Sequence, residues 1–325
     1  MISSLELARI CGVSQGTVDR ALHGRGEISA ATKERILKAA QKYGYRPNPL
    51  VRELLSGKST TVGALVPSIN SIFFLDLLSA IKTELRQGGA TDAENSYRLL
   101  ISPVANAQEF LEALEDFAAR RCTAVLAVPP EESLKIPATL TREMKLISLV
   151  SPSKGTNVWF LTPDETQTGA DAVEYLYGRG HRSILHLTYA RRARGVIARE
   201  KGYKLAMQQR GLKPIVLDRP DDAQLLAALR THHATALFCH NDWLAVSTLR
   251  ALEKNGIAVP REVSVLGVDA SPTFRALHAD ITTLEYPFKS LAMQAAEIIR
   301  TGKAITPCAR FQVIEGATVC DARAP

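Results

Sequence analysis

Cysteine is scarce in this chain. The five residues (Cys11, Cys122, Cys239, Cys308 and Cys320 of 325) are scattered, odd in number and form no C-x-x-C pair. That excludes a disulfide framework and a zinc site, and it fits reduced thiols in the cytoplasm, where the protein is expected to reside. No apolar run reaches the roughly 18 residues that a bilayer span needs. The opening "MISSLELARI" lacks the basic start and apolar block of a secretory leader, so no membrane partner is expected. No strand-like segment runs into G-x-G-x-x-G or G-x-x-x-x-G-K-[ST], which leaves a phosphate-cradling loop without support and implies no cofactor. Catalytic and metal clusters are missing too. "THH" places His232 beside His233, and on a helix such neighbours diverge. "CHND" places Cys239 beside His240, too close in sequence for catalytic geometry. Neither an enzyme nor a metal site is expected.

What is present is ordinary globular composition, 46% hydrophobic and 22% charged, on a chain long enough for more than one domain. The net charge of +7 is unevenly placed. The first sixty residues hold ten Lys or Arg against five acids, so less than a fifth of the chain carries most of the excess. Basic charge gathered in one small module is the footprint of a nucleic-acid contact, although a merely solvated surface gives the same count.

Those sixty residues open with three short helical patterns. In "SSLELARI", Ser3 can cap a helix and Glu6 can return a bond to the cap, with Leu5, Ala8 and Ile10 as the inner stripe. After Gly12, Ser14 starts a second helix whose Val18, Ala21 and Leu22 face inward while Gln15, Gly16, Asp19 and Arg20 face outward. Ser29 caps a third, with Ile36, Leu37, Ala40 and Tyr43 on one face and Gly44 placed for a left-handed C-terminal cap. The first pair reads as a helix-turn-helix, a weak pattern when it stands alone.

The next residues sharpen it. Pro47 stops the third helix, Pro49 to Ser56 is too short for a stable free helix, and the strand "TVGALVP" follows directly. With "LARICGVSQGTVDRAL", "IS-x-x-T-x-x-R-I", "YRPN", "LLSGKS" and "VGALVP", the chain resembles the lac repressor family of bacterial transcription regulators. The resemblance implies that Ser14, Gln15, Gly16, Thr17, Arg20 and His23 contact DNA. Arg20 suits a bidentate bond to guanine. Leu55 falls on the hinge-helix leucine that wedges into the minor groove and bends the duplex. Asp19 stands where many members have serine, His23 replaces a frequent asparagine, and Gly16 removes one base contact, so the operator sequence cannot be borrowed.

From Thr61 onward, strand-like runs alternate with helical ones. The strand candidates are "TVGALVP", "YRLLISP", "TAVLAVP", "KLISLV", "NVWFL", "SILHLT", "TALFCH" and "VSVLGVD". That rhythm predicts parallel sheets covered by helices. The resemblance implies the rest of the architecture: an N-terminal three-helix headpiece and hinge helix, then an α/β two-lobed effector domain like periplasmic binding proteins. Its divisions are the headpiece at 1–46, the hinge at 47–60, and the effector-binding and dimerisation domain at 61–325. Within the last, the N-lobe takes about 61–161 and 288–312, and the C-lobe about 162–287 and 313–325.

Ligands in such sheets lodge beyond the carboxyl ends of strands. The resemblance makes Phe73, Phe74, Asp164, Arg199, Asn241 and Asp269 effector-contacting. Phe73 and Phe74 stack on a ligand or staple a helix start. Asp164 contacts effector or caps a helix, and Asp242 reads as a helix cap or a ligand group. Arg199 matches the arginine that clamps ligand oxygens. Arg219 stands where an aromatic is frequent, and Arg191, Arg192 and Arg194 join it; two or more turned inward would favour an acidic effector. The expected function is a homodimeric repressor on a pseudo-palindromic operator, governed by a sugar-like effector. The alternatives are a sugar-processing enzyme with an appended DNA-binding module, and a global regulator governed by a protein partner. No leucine-heptad tail follows "ATVCDARAP", so a tetramer held by one is not expected.

Overall fold

The computed structural model describes residues 2–23, 26–46, 59–87, 97–189, 193–278, 280–304 and 309–322. The hinge segment 47–58, with Leu55, and the arginines Arg191 and Arg192 lie outside the described residues. The chain divides into two compact units, Met1–Ser59 and Thr60–Pro325.

The first unit is three helices on one small core: α1 (Ser4–Cys11), α2 (Gln15–His23) and α3 (Ala30–Lys42). Ser3 and Glu6 form the full capping box. The Glu6 N–H donates to Ser3 Oγ at 3.2 Å and the Ser3 N–H donates to Glu6 Oε2 at 2.7 Å. Two orphan donors of the first turn are thereby satisfied. Ser14 accepts from the Thr17 N–H and Ser29 from the Thr32 N–H, so each predicted cap is made. Gly44 takes φ +64°, and the next residue, Tyr45, donates back to the Ala40 carbonyl at 2.9 Å. This left-handed turn suits a residue without a Cβ.

The inner stripes differ from the sequence expectation. Leu5 and Ile10 are 50% and 47% exposed, and α1 buries Leu7, Ala8 and Cys11 instead. The capping box fixes the helix phase, and in that phase positions 7, 8 and 11 share the inward face. On α3, Ile36 and Ala40 are buried, whereas Leu37 and Tyr43 stay exposed. A core of this size admits one i, i+4 row from each helix, and Leu37 lies one position off that row. Val18 and Ala21 of α2 complete the cluster.

The second unit holds two parallel sheets. The first has strand order β2-β1-β3-β5-β7, built from β1 (Thr61–Val66), β2 (Arg98–Pro103), β3 (Ala124–Ala127), β5 (Lys145–Leu149) and β7 (Val158–Leu161). The second runs β13-β12-β11-β10-β8-β9. Its strands are β8 (Ile184–Thr188), β9 (Ile215–Asp218), β10 (Ala236–Cys239), β11 (Ser264–Asp269), β12 (Thr283–Glu285) and β13 (Gln312–Ile314), the last antiparallel. A two-strand ladder joins β4 (Leu134–Lys135) to β6 (Ser153–Lys154). All eight strand candidates lie on observed strands; the short or edge strands β4, β6, β9, β12 and β13 were not among them.

Helices α4 (Ile72–Gln87), α5 (Ala107–Ala119) and α6 (Ala138–Thr141) belong with the first sheet. Helices α7 (Glu165–Gly178), α8 (Arg194–Gln209), α9 (Asp222–His232), α10 (Asp242–Lys254) and α11 (Pro272–Leu277) belong with the second. The last helix, α12 (Phe288–Thr301), follows β12 yet returns to the first lobe, against α4, β5 and β7. It buries Leu291, Ala292, Ala295, Ala296, Ile298 and Ile299, and each such Leu or Ile contributes roughly 1.5–3 kcal/mol. The chain therefore passes between lobes three times, after β7, after β12 and before β13.

Two further contacts set the geometry. Helices α7 and α8 cross at glycines: a Cβ on Gly169 would stand 2.0 Å from the Arg199 carbonyl oxygen, and one on Gly202 would stand 1.8 Å from that of Thr166. Across the lobes, Asp76 on α4 accepts from the Thr273 N–H at 3.0 Å and from Thr273 Oγ1 at 2.6 Å.

Candidate functional site

In the helical unit, α2 turns Ser14, Gln15, Gly16, Asp19 and Arg20 to the outside, with Thr17 half-buried. Arg20 lies along its own helix, donating to the Gly16 carbonyl at 3.3 Å and to Thr17 Oγ1 at 3.4 Å. Gln15 donates to Ser4 Oγ on α1 at 2.7 Å. Both side chains are exposed and weakly held, so each can exchange its local bond for a base edge. His23 closes α2, and its side chain lies outside the described atoms.

In the larger unit, the polar residues gather at the carboxyl ends of β8, β10 and β11, beside the crossings. Arg199 is the centre, buried at 3% exposure. Its Nε and Nη2 donate to Glu165 Oε2 at 2.9 and 2.6 Å, and its Nη1 donates to the His240 carbonyl. Glu165 opens α7 and Arg199 sits on α8, so the glycine crossing holds this ion pair together. The guanidinium also lies 5.9 Å from the Phe311 ring centroid, on the third crossing.

Asp242 is buried and is not the cap of α10; Asn241 caps it, accepting from the Leu244 N–H at 3.0 Å. Asp242 instead reaches across the sheet and accepts from the Ala270 N–H at 2.7 Å and from Thr283 Oγ1 at 2.7 Å. Burial pushes its pKa up to about 6, against those two bonds. Asp269 ends β11 with φ +115°, and Ala270 follows at φ +48°. Two consecutive non-glycine residues in that half of φ space are costly, and such strain gathers at functional sites. The turn is held by the Asp242 bond and by the Tyr286 N–H donating to the Asp269 carbonyl at 2.9 Å. Asp269 is half-buried as a residue, and its carboxyl accepts no hydrogen bond from a described residue. Burial foremost, then the nearby Asp242 and Glu165, holds it well above the usual carboxylate range, with Arg199 opposing.

Aromatic groups border this cluster. Tyr189 donates to Asn241 Oδ1 at 2.9 Å and meets His240 edge to face. Phe73 packs against Phe74, Tyr286 and Phe288 at 4.8–5.4 Å, and Tyr286 in turn packs against Phe311. Phe73 thus joins two of the crossings as well as starting α4. Asp164 is exposed and caps α7 through the Gln167 N–H at 2.9 Å. Arg219 is exposed above Tyr189 and Arg194 is exposed near Phe160. Neither described arginine turns inward, so the condition set for an acidic effector is not met by them.

Sequence reasoning thus brought Arg199, Asn241 and Asp269 to one place. It missed Glu165, Tyr189, His240, Tyr286 and Phe311 as members of it. Glu165 carried a signal, an acid in the first turn directly after the cap Asp164. The crossing residues carried none, because their placement depends on segments more than a hundred positions away.

A capped helix-turn-helix unit followed by two parallel α/β lobes with a polar cluster beside their crossings defines a DNA-binding protein with a ligand-type domain. Comparison with known proteins agrees. Residues 5–48 match "Bacterial regulatory proteins, lacI family", and residues 173–312 match "Periplasmic binding protein-like domain". The transcriptional regulator AscG of Escherichia coli K12 is 30% identical over 286 residues, 83% of this chain and 82% of that one. GalS of Salmonella typhimurium LT2 is 29% identical over 318 residues, covering 94% and 91%. Among solved structures, the lac repressor dimer bound to operator and an anti-inducer matches with a TM-score of 0.79 at 19% identity, covering 98% and 99%. A regulator from Alkaliphilus metalliredigens complexed with D-xylulofuranose matches at 0.66 and 21%, covering 80% and 99%. The chain belongs to the lacI family of bacterial regulatory proteins, and it is a DNA-binding transcription regulator. No described helix is long and apolar enough to cross a membrane.

Proposed function

We propose that this protein is an operator-binding repressor whose grip on DNA is set by a sugar-like effector held at the Arg199–Asp269 cluster. The observation that carries the effector half is the strained Asp269 turn. It sets a carboxyl, free of described hydrogen bonds, beside a buried arginine at the carboxyl edge of a parallel sheet. Fixed acceptors and donors of this kind suit hydroxyl recognition. The structure of similar fold from Alkaliphilus metalliredigens holds D-xylulofuranose, a ligand of this hydroxyl-bearing kind.

The reading includes a homodimer on a pseudo-palindromic site, because one three-helix unit makes too few contacts for tight specific binding. Exposed apolar side chains support it. Trp243 on α10, Leu277 on α11, Leu75 on α4 and Met293 on α12 are 41–68% exposed, and Trp243 packs on Phe274 beside the Asp76–Thr273 bonds. Large apolar side chains left in water on both lobes supply surface for such an association. Effector binding changes the angle between lobes and with it operator affinity. An inducer must bind the DNA-free form more tightly, and a corepressor the bound form.

The test couples two assays. Promoter fragments from the source genome are titrated by fluorescence anisotropy, and sugars are screened by thermal shift and then added to the DNA titration. Arg20→Ala should weaken operator binding by about 1–3 kcal/mol and relax base preference at one position. Loss that is uniform over all sequences would reduce Arg20 to a phosphate contact. A sugar that stabilises the protein without moving operator affinity would overturn effector control.

A further inference from the structure

We infer that Gln15 reads an adenine in the operator and that Ser4 is the positioning residue that sets its amide to do so. This deepens the operator-binding reading and rests on it.

The two side chains meet between helices. Ser4 is the first residue of α1 and Gln15 the first of α2, eleven positions further along the chain. Each start is pinned by the serine before it. Ser3 closes the capping box on α1, and Ser14 Oγ accepts from the Thr17 N–H at 3.1 Å on α2. Between these two fixed ends, Gln15 Nε2 donates to Ser4 Oγ at 2.7 Å. The bonds of its outward neighbours stay within α2: Ser14 Oγ lies 2.9 Å from Thr17 Oγ1, and Arg20 donates to Thr17 and to the Gly16 carbonyl. A long amide side chain at a helix surface ordinarily samples many rotamers, whereas this one is tied to a second helix. Beside it, a Cβ on Gly16 would meet Ser14 Oγ at 3.9 Å, an ordinary contact. Packing inside the unit therefore does not call for glycine there. Its missing side chain instead lets the start of α2 come closer to whatever docks on this face.

Hydrogen-bond arithmetic decides the base. A glutamine amide offers two N–H donors and one accepting oxygen. Exchange of the Ser4 bond for a base edge is open to Gln15, but keeping it and reading with the rest of the amide gives up no bond. What is left is one donor and one acceptor, with the outer N–H assigned to Ser4 and the inner one beside the carbonyl oxygen. Guanine shows two acceptors in the major groove, N7 and O6, and matching both takes two donors. Adenine shows an acceptor at N7 and a donor at N6, which a donor and an acceptor complete. Cytosine presents a donor and thymine an acceptor, so neither engages both halves of the amide. An untethered glutamine has both N–H groups to offer and discriminates less. Ser4 thus acts on base choice without touching a base.

The experiment selects operator sequences from a random duplex pool with the full-length protein. Fluorescence anisotropy then follows on the selected operator with each base pair of the half-site replaced in turn. The expected result is one base pair at which adenine is preferred to guanine by at least about fivefold, the low end of what a bidentate contact discriminates. Gln15→Ala should remove the preference at that base pair. Ser4→Ala should lower the adenine-to-guanine ratio there and leave the ratios elsewhere unchanged, and Ser4→Thr, which keeps the hydroxyl, should preserve it. The replacements on the unaltered protein overturn the inference by themselves if no base pair prefers adenine to guanine, whatever the variants do. A Gln15-dependent preference for guanine or a pyrimidine overturns the adenine assignment. A loss in Ser4→Ala that is equal over all sequences makes Ser4 a phosphate contact and overturns its positioning role. If the pool yields no enriched sequence, operator binding itself falls, which separates that failure from the others.

Discussion

His186 shows what a single side chain can do to the pH response of the fold. It is fully buried, stacked on Phe238 at 4.5 Å, and bonded through Nδ1 to the Phe238 carbonyl oxygen at 2.9 Å. Its Nε2 has no hydrogen-bond partner among the described residues. Burial lowers its pKa from 6.5 to about 4. A lowered folded value means that the contribution is complete above pH 6.5 and drains away as pH falls toward 4. At about 1.4 kcal/mol per tenfold, the loss reaches about 3 kcal/mol. His186→Phe should therefore gain on the unaltered protein as pH falls through that window, read by urea denaturation at several pH values. A constant difference from pH 7 to 4 would rule this role out. The sequence displayed His186 only as one letter inside "SILHLT", and nothing in an alternating apolar run reports whether a polar member is paired. Asp242 is the same lesson reversed: position after a strand suggested a cap, but only the sheet register brings Ala270 and Thr283 within reach of it.

Among the elements, the crossing of α7 and α8 links packing to the site. The backbones touch at Gly169 and Gly202, which brings Glu165 within 2.6 Å of Arg199. Gly202→Ala would force a Cβ against the Thr166 carbonyl oxygen. It should destabilise the larger unit by about 1–3 kcal/mol and lower effector affinity together, with urea denaturation and titration as the measurements. Unchanged stability would mean that the helices separate freely. Such a contact is invisible in one sequence, where Gly202 in "REKGY" reads only as a weak spot in a helix. The longer strands were legible because buried parallel strands are continuous apolar runs. Strands β4, β6, β12 and β13 have only two or three residues, too short for any period to register, and the four residues of β9 lie at the sheet edge with none fully buried. The inner faces of α1 and α3 were shifted because the phase is set by the caps and by Gly44, while apolar residues such as Leu5 and Leu37 stay outside.

For the molecule as a whole, the proposed homodimer makes association the variable that governs DNA binding, and the exposed apolar side chains Trp243, Leu277, Leu75 and Met293 are where that is tested. Leu277→Asp places a charge at the most exposed of these positions. It should shift the protein toward monomer in sedimentation velocity and weaken operator binding more than tenfold, with the thermal midpoint of the larger unit nearly unchanged. A dimer of undiminished strength would assign the patch another role. Two lobes and a headpiece were readable from the strand rhythm and the resemblance together. The sharing of one helix between lobes far apart in sequence was the part only the fold could supply.

That shared helix has a consequence for synthesis. Leu77, Leu78 and Ile81 of α4 share their core with α12, which arrives some two hundred residues later. On the ribosome, the first lobe therefore waits, unfinished and sticky, while the second is translated in full. A nonsense codon anywhere before α12 would release a polypeptide able to complete neither lobe, which makes it a substrate for chaperones and proteases rather than a dominant-negative fragment.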